Sequence, residues 1–228
     1  MKRSHFAAAL TSLVVATSLG HASAMAQDSI NIYSARHYQS DEALYAGFTK
    51  ATGIAINRVD ADDAGILARL KAEGKASPAD VILLVDATRL HIAEHSGLFQ
   101  RTDSSLLNKR IPAHLRSPGN TWFGFSTRAR VIVYDPKRVK ASDVATYEQL
   151  GAPVNKGKVC VRTGTHPYNL SLFGAMAVHN GDAATQTWLS QVASNLARKP
   201  QGGDTDQMRA VASGECAIAV ANSYYLAR

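Results

Sequence analysis

Two adjacent tyrosines, Tyr224 and Tyr225, follow the apolar run 217–221 near the end of the sequence. A second group, Arg36-His37-Tyr38, follows another apolar segment, 30–33. If both segments are strands, these side chains lie at strand exits, where ligands bind in open α/β sheets. Three phenols and an imidazole suit a hard, highly charged cation, above all ferric iron, because phenolate oxygens match such an ion better than thiolates do.

The alternative for any single tyrosine is a packing role, since the chain has eight of them and a half-buried tyrosine usually needs only one hydrogen-bond partner. Tyr33, Tyr45, Tyr134 and Tyr147 are interpreted in this way. A free phenol has a pKa near 10 and is mostly protonated at neutral pH. A bound cation displaces that proton, so metal affinity is expected to fall in acid.

The elements that position these residues follow an α/β pattern, in which short apolar runs alternate with amphipathic segments. The predicted strands are residues 30–33, 54–59, 80–85, 129–134, 159–161 and 216–221. The predicted helices are residues 41–52, 63–73, 170–179, 182–197 and 204–213. Asp182 is the expected N-cap of one helix, and the spacing of Asp204 and Gln207 predicts a capping box for another. Residues 98–121 are expected to be irregular.

The N-terminus predicts a secretory signal peptide over residues 1–26. Lys2 and Arg3 precede an apolar stretch, 7–19, and small residues lead to a cleavage site after Ala26. The alternative is a retained membrane anchor, but the stretch is shorter than the roughly 20 residues that a span needs. The mature chain is therefore expected to be exported.

The formal net charge of +7 raises the question of nucleic-acid binding. The lysines and arginines are dispersed, with no dense basic run and no interleaved aromatic residues, so no nucleic-acid partner is expected. A milder role for the positive charge is to offset anionic groups around a bound ligand.

Cys160 and Cys216 are the two cysteines of the chain, and export permits a disulfide between them. Both lie in apolar segments that fit neighbouring strands of one sheet. A bridge closing a loop of that length would stabilise the fold by about 4 kcal/mol. The alternative is two buried free thiols.

Several motifs together resemble the periplasmic ferric-iron-binding proteins of ABC importers. The segments that show the resemblance are 31–38, 77–81, 122–124, 128–134, 200–207, 214–216 and 221–225. The resemblance covers essentially the whole chain after the signal peptide.

That family implies a type II periplasmic binding protein fold, an α/β architecture of two lobes with a cleft between them. The first lobe is expected over residues 27–125 and the second over residues 126–228. The resemblance implies five Fe(III) ligands, one histidine and four tyrosines: His37, Tyr38, Tyr168, Tyr224 and Tyr225. Tyr168 enters only through the resemblance, in a predicted loop before a helix, where the neighbouring His166 is interpreted as structural or solvent-facing.

Four phenolates and Fe(III) sum to one negative charge, so a nearby cation should help to hold the site in its charged form. Arg128, Arg228 and Arg36 are the candidates. An arginine could instead bind carbonate or a similar synergistic anion, as in some related proteins.

The expected function is periplasmic capture of Fe(III) by a monomer that closes on the ion and delivers it to an ABC importer permease in the inner membrane. Relatives continue well beyond the position of residue 228, so the chain is expected to be truncated at its C-terminus. The alternative is a solute-binding protein of the same fold for a small anion or organic solute. An enzyme is not expected, because the sequence lacks Gly-x-Ser-x-Gly, His-Glu-x-x-His and zinc-type cysteine spacing.

Overall fold

The computed structural model describes residues 28–36 and 38–227. The predicted signal peptide and two proposed site residues, His37 and Arg228, lie outside the described residues. Within the described part of the chain, no helix is both long and apolar enough to cross a membrane.

The first sheet has three parallel strands in the order β2-β1-β3. Its strands are β1 (Ser29–Ser34), β2 (Ala55–Asp60) and β3 (Val81–Leu83). The helices that accompany it are α1 (Ser40–Thr52), α2 (Asp63–Glu73) and α3 (Ala87–His95). Parallel neighbours require crossover connections, and α1 and α2 supply them.

Local sequence signals set the helix boundaries of this first unit. Gly53 ends α1 with a left-handed backbone (φ 74°), which glycine adopts without a Cβ penalty. Asp62 and Asp86 accept backbone N–H groups at the starts of α2 and α3, which satisfies donors that a helix leaves unpaired. Buried Tyr33, Ile66 and other apolar residues from β1, α2 and α3 form the core beneath the sheet.

The second sheet has the order β4-β6-β5, with its last strand in the centre. Its strands are β4 (Arg130–Tyr134), β5 (Val159–Cys160) and β6 (Ile218–Asn222). A short helix, α4 (Ser105–Arg110), precedes this sheet, and α5 (Pro167–Asn180), α6 (Asp182–Ser194) and α7 (Asp204–Ala212) pack around it. β6 is antiparallel to β4 and parallel to β5.

All five residues of β6 are buried, as expected for a central strand covered on both faces. Ala219 and Ala221 alternate with larger residues, Ile218 and Val220, so that one face of the strand admits close packing. The larger side chains join the main core cluster together with Trp188 and residues of α5.

The predicted elements are found in the structure, although α5 starts and α6 ends three residues earlier than predicted, and α3 was not predicted from the sequence. Two helix caps also need correction. Gly181 rather than Asp182 precedes α6 as its cap. Gly203 caps α7, and its N–H donates to Asp206, so the predicted capping role of Asp204 is wrong. α4 lies inside the span predicted to be irregular, because its few apolar residues are too short a run to show helical periodicity.

The two units meet where α3 packs against α5. Asp86, the N-cap of α3, accepts hydrogen bonds from Ser171 of α5 (2.5 Å) and from Arg128 (2.8 Å). The hydroxyls of Thr88 and Ser171 also lie 2.7 Å apart. These contacts form a polar bridge between the two units.

Cys160 and Cys216 form a disulfide, so the alternative of free thiols is wrong. It joins β5 to the residue that leads into β6, and both cysteines are fully buried. The bridge therefore reinforces strands that are already neighbours in the second sheet.

Replacing both cysteines with serine is expected to lower the free energy of unfolding by about 4 kcal/mol, because the closed loop spans 56 residues. Urea unfolding of the oxidised wild type and the double variant measures the difference. Wild type with reduced cysteines is the control, because it lacks the bridge without burying a serine hydroxyl. Its free energy of unfolding should fall by a similar amount. A loss below about 1 kcal/mol in both would show that the loop-closure account does not apply here.

Candidate metal centre

The turn that follows β6 places the tyrosine pair. Residues Ser223–Ala227 form a 3-10 turn, and the Ser223 N–H donates to the carbonyl of Ala129 beside β4. The rings of Tyr224 and Tyr225 lie against one another with centroids 4.5 Å apart. Both side chains are partly buried, so the pair is held at the end of the sheet rather than projecting into solvent.

Tyr38 approaches this pair from the first unit. It lies in the turn after β1, where its carbonyl accepts the N–H of Asp41. Its ring meets that of Tyr224 edge to face, with centroids 5.7 Å apart, a favourable arrangement for aromatic rings. Residues from the exits of β1 and β6 therefore do converge.

Arg36 lies beside Tyr38 and holds its surroundings in place. Its guanidinium pairs with both carboxylate oxygens of Asp41, at 2.6 and 2.9 Å, and lies 5.0 Å from the centroid of the Tyr38 ring. Its positive charge is already matched by Asp41, so Arg36 is better suited to orienting Tyr38 than to binding an anion.

Tyr168 joins the group from the start of α5. The prediction of a loop position is wrong by a few residues, because α5 begins at Pro167, whose fixed φ suits the first helical position. His166 is the N-cap: its Nδ1 accepts the Tyr168 N–H at 3.2 Å. Burial, and then the charge of Arg162, lower the pKa of His166 to about 4, which keeps this nitrogen a neutral acceptor.

The tyrosine cluster consists of four residues, Tyr38, Tyr168, Tyr224 and Tyr225. Their hydroxyls meet at Tyr224. The Tyr224 oxygen takes part in side-chain hydrogen bonds with Tyr38, Asn222, Tyr168 and Tyr225. The Nδ2 of Asn222 is 3.4 Å from it. Burial alone would raise the pKa of Tyr224, but these donors stabilise the phenolate and hold its pKa below the ordinary value.

The pKa values of the other three phenols shift in the opposite direction. Burial, and next the hydrogen bond to Tyr224, raise the pKa values of Tyr38 and Tyr168. The same two causes raise the pKa of Tyr225 to about 12. One phenol of the cluster is therefore set to lose its proton first, while three act as donors to it.

Three arginines surround Tyr168. The guanidinium carbons of Arg128, Arg162 and Arg130 lie 4.6, 5.2 and 5.6 Å from its ring centroid. Cations over an aromatic face are attracted to it, and they also lower the energy of a phenolate nearby. Of the three, only Arg128 is predicted as a site residue from the sequence.

Asp204 holds two of these arginines beneath the cluster. It is fully buried, and its two oxygens bind Arg130 (2.5 Å) and Arg162 (3.1 Å). It also accepts the N–H of Asn222, whose side chain reaches Tyr224. Sequence reasoning missed this ion pair, although Arg128 and Arg130 lie two residues apart and so share a face of an extended chain, which is a usable signal.

A family model described as bacterial extracellular solute-binding protein matches residues 76–227. Iron uptake protein A1 of Synechocystis sp. is 46% identical over 202 residues, which are 89% of this chain and 56% of that protein. The chain is also similar to solved structures. FutA (IdiA) of Trichodesmium, in complex with iron and citrate, has a TM-score of 0.82 and 46% identity over 88% of this chain and 63% of that one.

A ferric binding protein from Campylobacter jejuni has a TM-score of 0.83 and 38% identity, covering 87% of this chain and 63% of that one. The prediction of a two-lobed type II periplasmic binding protein fold is thereby confirmed. The chain spans 56% to 63% of the length of these proteins. With its family model matched over most of its length, the chain belongs to the bacterial extracellular solute-binding protein family.

Proposed function

We propose that this chain is the Fe(III)-binding component of an ABC iron importer, working in the periplasm and delivering iron to a membrane permease. The observation that supports this most is the meeting of four phenols at Tyr224, with Tyr38 from the first unit and three from the second. Relatives that are named for iron uptake or ferric iron binding point to the same ion. We expect the chain to bind and release the ion without catalysing a reaction.

The proposed ligands are the four residues of the tyrosine cluster together with His37. Phenolate oxygens are hard anionic donors that favour a small trivalent ion. Tyr38 is proposed to belong to a first lobe, residues 27–125, and the other three to a second lobe, residues 126–228. Since the two sheets fall on either side of this boundary, an ion bound by both groups would favour the closed arrangement of the lobes.

The charged side chains around Tyr168 balance the charge of the proposed iron complex. Four phenolates with Fe(III) leave one negative charge. Around Tyr168, three guanidiniums face two buried carboxylates, Asp86 and Asp204, which leaves one positive charge. Because the opposite charges are equal, we propose that carbonate is not required as a synergistic anion. The surplus positive charge lies on Arg130 and Arg162, which share Asp204, whereas Arg128 is paired with Asp86.

Adding Fe(III), supplied as a weak chelate, is expected to give a visible phenolate-to-iron charge-transfer band with one ion per chain. Tyr225→Phe should weaken binding at least 100-fold, since substitutions that only support a metal ligand already cost about 10- to 100-fold. Absorbance titrations measure both, and anaerobic Fe(II) should give no comparable band. Bicarbonate should leave the wild-type curve unchanged.

Tyr45→Phe is the matched control, because the Tyr45 ring stacks with Arg58, 5.2 Å from its guanidinium carbon, and Tyr45 is not one of the proposed ligands. Its titration should equal that of wild type. A folded wild type that gives no band would reject the ferric site. Binding of a small anion or organic solute without iron would instead support the alternative of a different solute.

A further inference from the structure

A second group of metal-binding side chains lies on α3, away from the tyrosine cluster. Within the described residues, His91, Glu94 and His95 offer one ligand atom each, all within 4.8 Å of one another. Their spacing, i, i+3 and i+4, places them on one face of the helix. We propose that these three residues bind a divalent transition-metal ion such as Zn²⁺, at a site separate from the cleft.

The ring orientation of His95 is fixed in a way that suits a ligand. Its Nδ1 lies 2.9 Å from the carbonyl oxygen of His91. A carbonyl can only accept, so in the neutral ring Nδ1 carries the proton and Nε2 keeps its lone pair. Metal-binding histidines commonly donate their second nitrogen to a carbonyl in this manner.

Glu94 is fixed as well. Its Oε1 accepts the hydroxyls of Ser117 and Thr121, and its Oε2 accepts the indole N–H of Trp122 at 3.0 Å. Each carboxylate oxygen can accept more than one partner, so Oε2 can bind an ion while its donors stay in place.

His91 completes the site with the adjustable ligand. Its ring centroid is 3.9 Å from that of His95, and the side chain is exposed. Two ligands of a tetrahedral zinc ion, each at about 2.0–2.1 Å from it, lie about 3.4 Å apart. The ligand atoms of the three residues lie within 4.8 Å of one another, so rotation of the exposed His91 imidazole has to bring them closer by up to about 1.4 Å.

The position of the site on the helix also favours a cation. His95 is the last residue of α3, and a helix C-terminus has a partial negative charge from its unpaired carbonyls. Two imidazoles and one carboxylate are ligands that suit zinc, nickel and copper better than they suit magnesium or calcium. The ligand set therefore differs in kind from the four phenols of the cluster.

The test uses Zn²⁺ alone, titrated calorimetrically into the chain with Tyr224→Phe and Tyr225→Phe, so that the cleft phenols do not compete. One ion per chain is expected. His91→Ala and His95→Ala added to this background should each lower the affinity at least 10-fold, in line with the effects seen at other metal sites. His114→Ala, at another exposed histidine, is the matched control and should change nothing.

Co²⁺ in place of Zn²⁺ should give visible absorption bands that disappear in His95→Ala. Absence of Zn²⁺ binding, or binding that survives both histidine substitutions, would overturn the proposal of a metal site on α3. Iron titration of His95→Ala in the otherwise native chain should match wild type. A failure of the ferric proposal would leave the zinc result standing, because the zinc measurement is made with the tyrosine pair removed.

Discussion

Replacing Tyr224 with phenylalanine is expected to abolish the ferric charge-transfer band and to weaken iron binding more than any other substitution in the tyrosine cluster. Tyr224 is the phenol whose pKa is lowered, and the hydroxyls of Tyr38, Tyr168 and Tyr225 meet at its oxygen. Its loss removes one proposed ligand and also the acceptor that orients the other three. We therefore expect a loss well beyond the 100-fold predicted for Tyr225→Phe.

The same substitution has a readout that needs no metal. In the iron-free wild type, one tyrosine should ionise below the ordinary phenol pKa near 10, seen as near-ultraviolet tyrosinate absorbance. Tyr224→Phe should remove that early step, whereas Tyr45→Phe should keep it. Circular dichroism of the variants confirms that they fold. An early step that persists without Tyr224 would show that another phenol holds the stabilised charge.

Replacing Asp204 with alanine is expected to lower the free energy of unfolding by about 3–5 kcal/mol. Arg130 and Arg162 keep only 9% and 14% of their side-chain surface exposed, and both lose their shared carboxylate. Removing one partner of a buried ion pair leaves an uncompensated charge, which has an effect of this size. The Asn222 N–H would lose its acceptor as well. Urea unfolding of the iron-free chain measures the change.

Asp206→Ala is the matched control on the same helix turn. Its carboxylate is 52% exposed and caps the Gly203 N–H, so its loss should cost only about 0.5–2 kcal/mol. Asp204→Asn keeps the shape but removes the charge and should fall between the two. Equal effects of Asp204→Ala and Asp206→Ala would contradict the importance of burial.

The helices and strands were largely predictable because local residues set many of their boundaries. Gly53 and Gly74 end α1 and α2 as expected, since glycine adopts the positive φ found at both positions without a Cβ penalty. Apolar runs such as residues 216–221 predicted the strands. The start of α5 was misplaced by three residues, because Pro167 sets it. The N-caps of α6 and α7 were each placed one residue late, because a glycine precedes each acid.

The candidate site was only partly predictable from the residues. Strand exits indicated Tyr38 and the Tyr224-Tyr225 pair, but nothing local distinguishes Tyr168 from a packing tyrosine, and it entered through family resemblance alone. Asp204 was missed for a physical reason. An acid at a helix start is most simply interpreted as a cap, and only the tertiary fold shows it buried against Arg130 and Arg162.

The central place of β6 has a consequence for the order in which the chain can assemble. The described strands of the first sheet all precede Leu84 in the chain, whereas β4 and β5 are not neighbours and pair only through β6. Until β6 is in place, both strands present unpaired edges, which are templates for aggregation. Tyr224 lies two residues after β6, so the tyrosine cluster forms only after those edges have been paired.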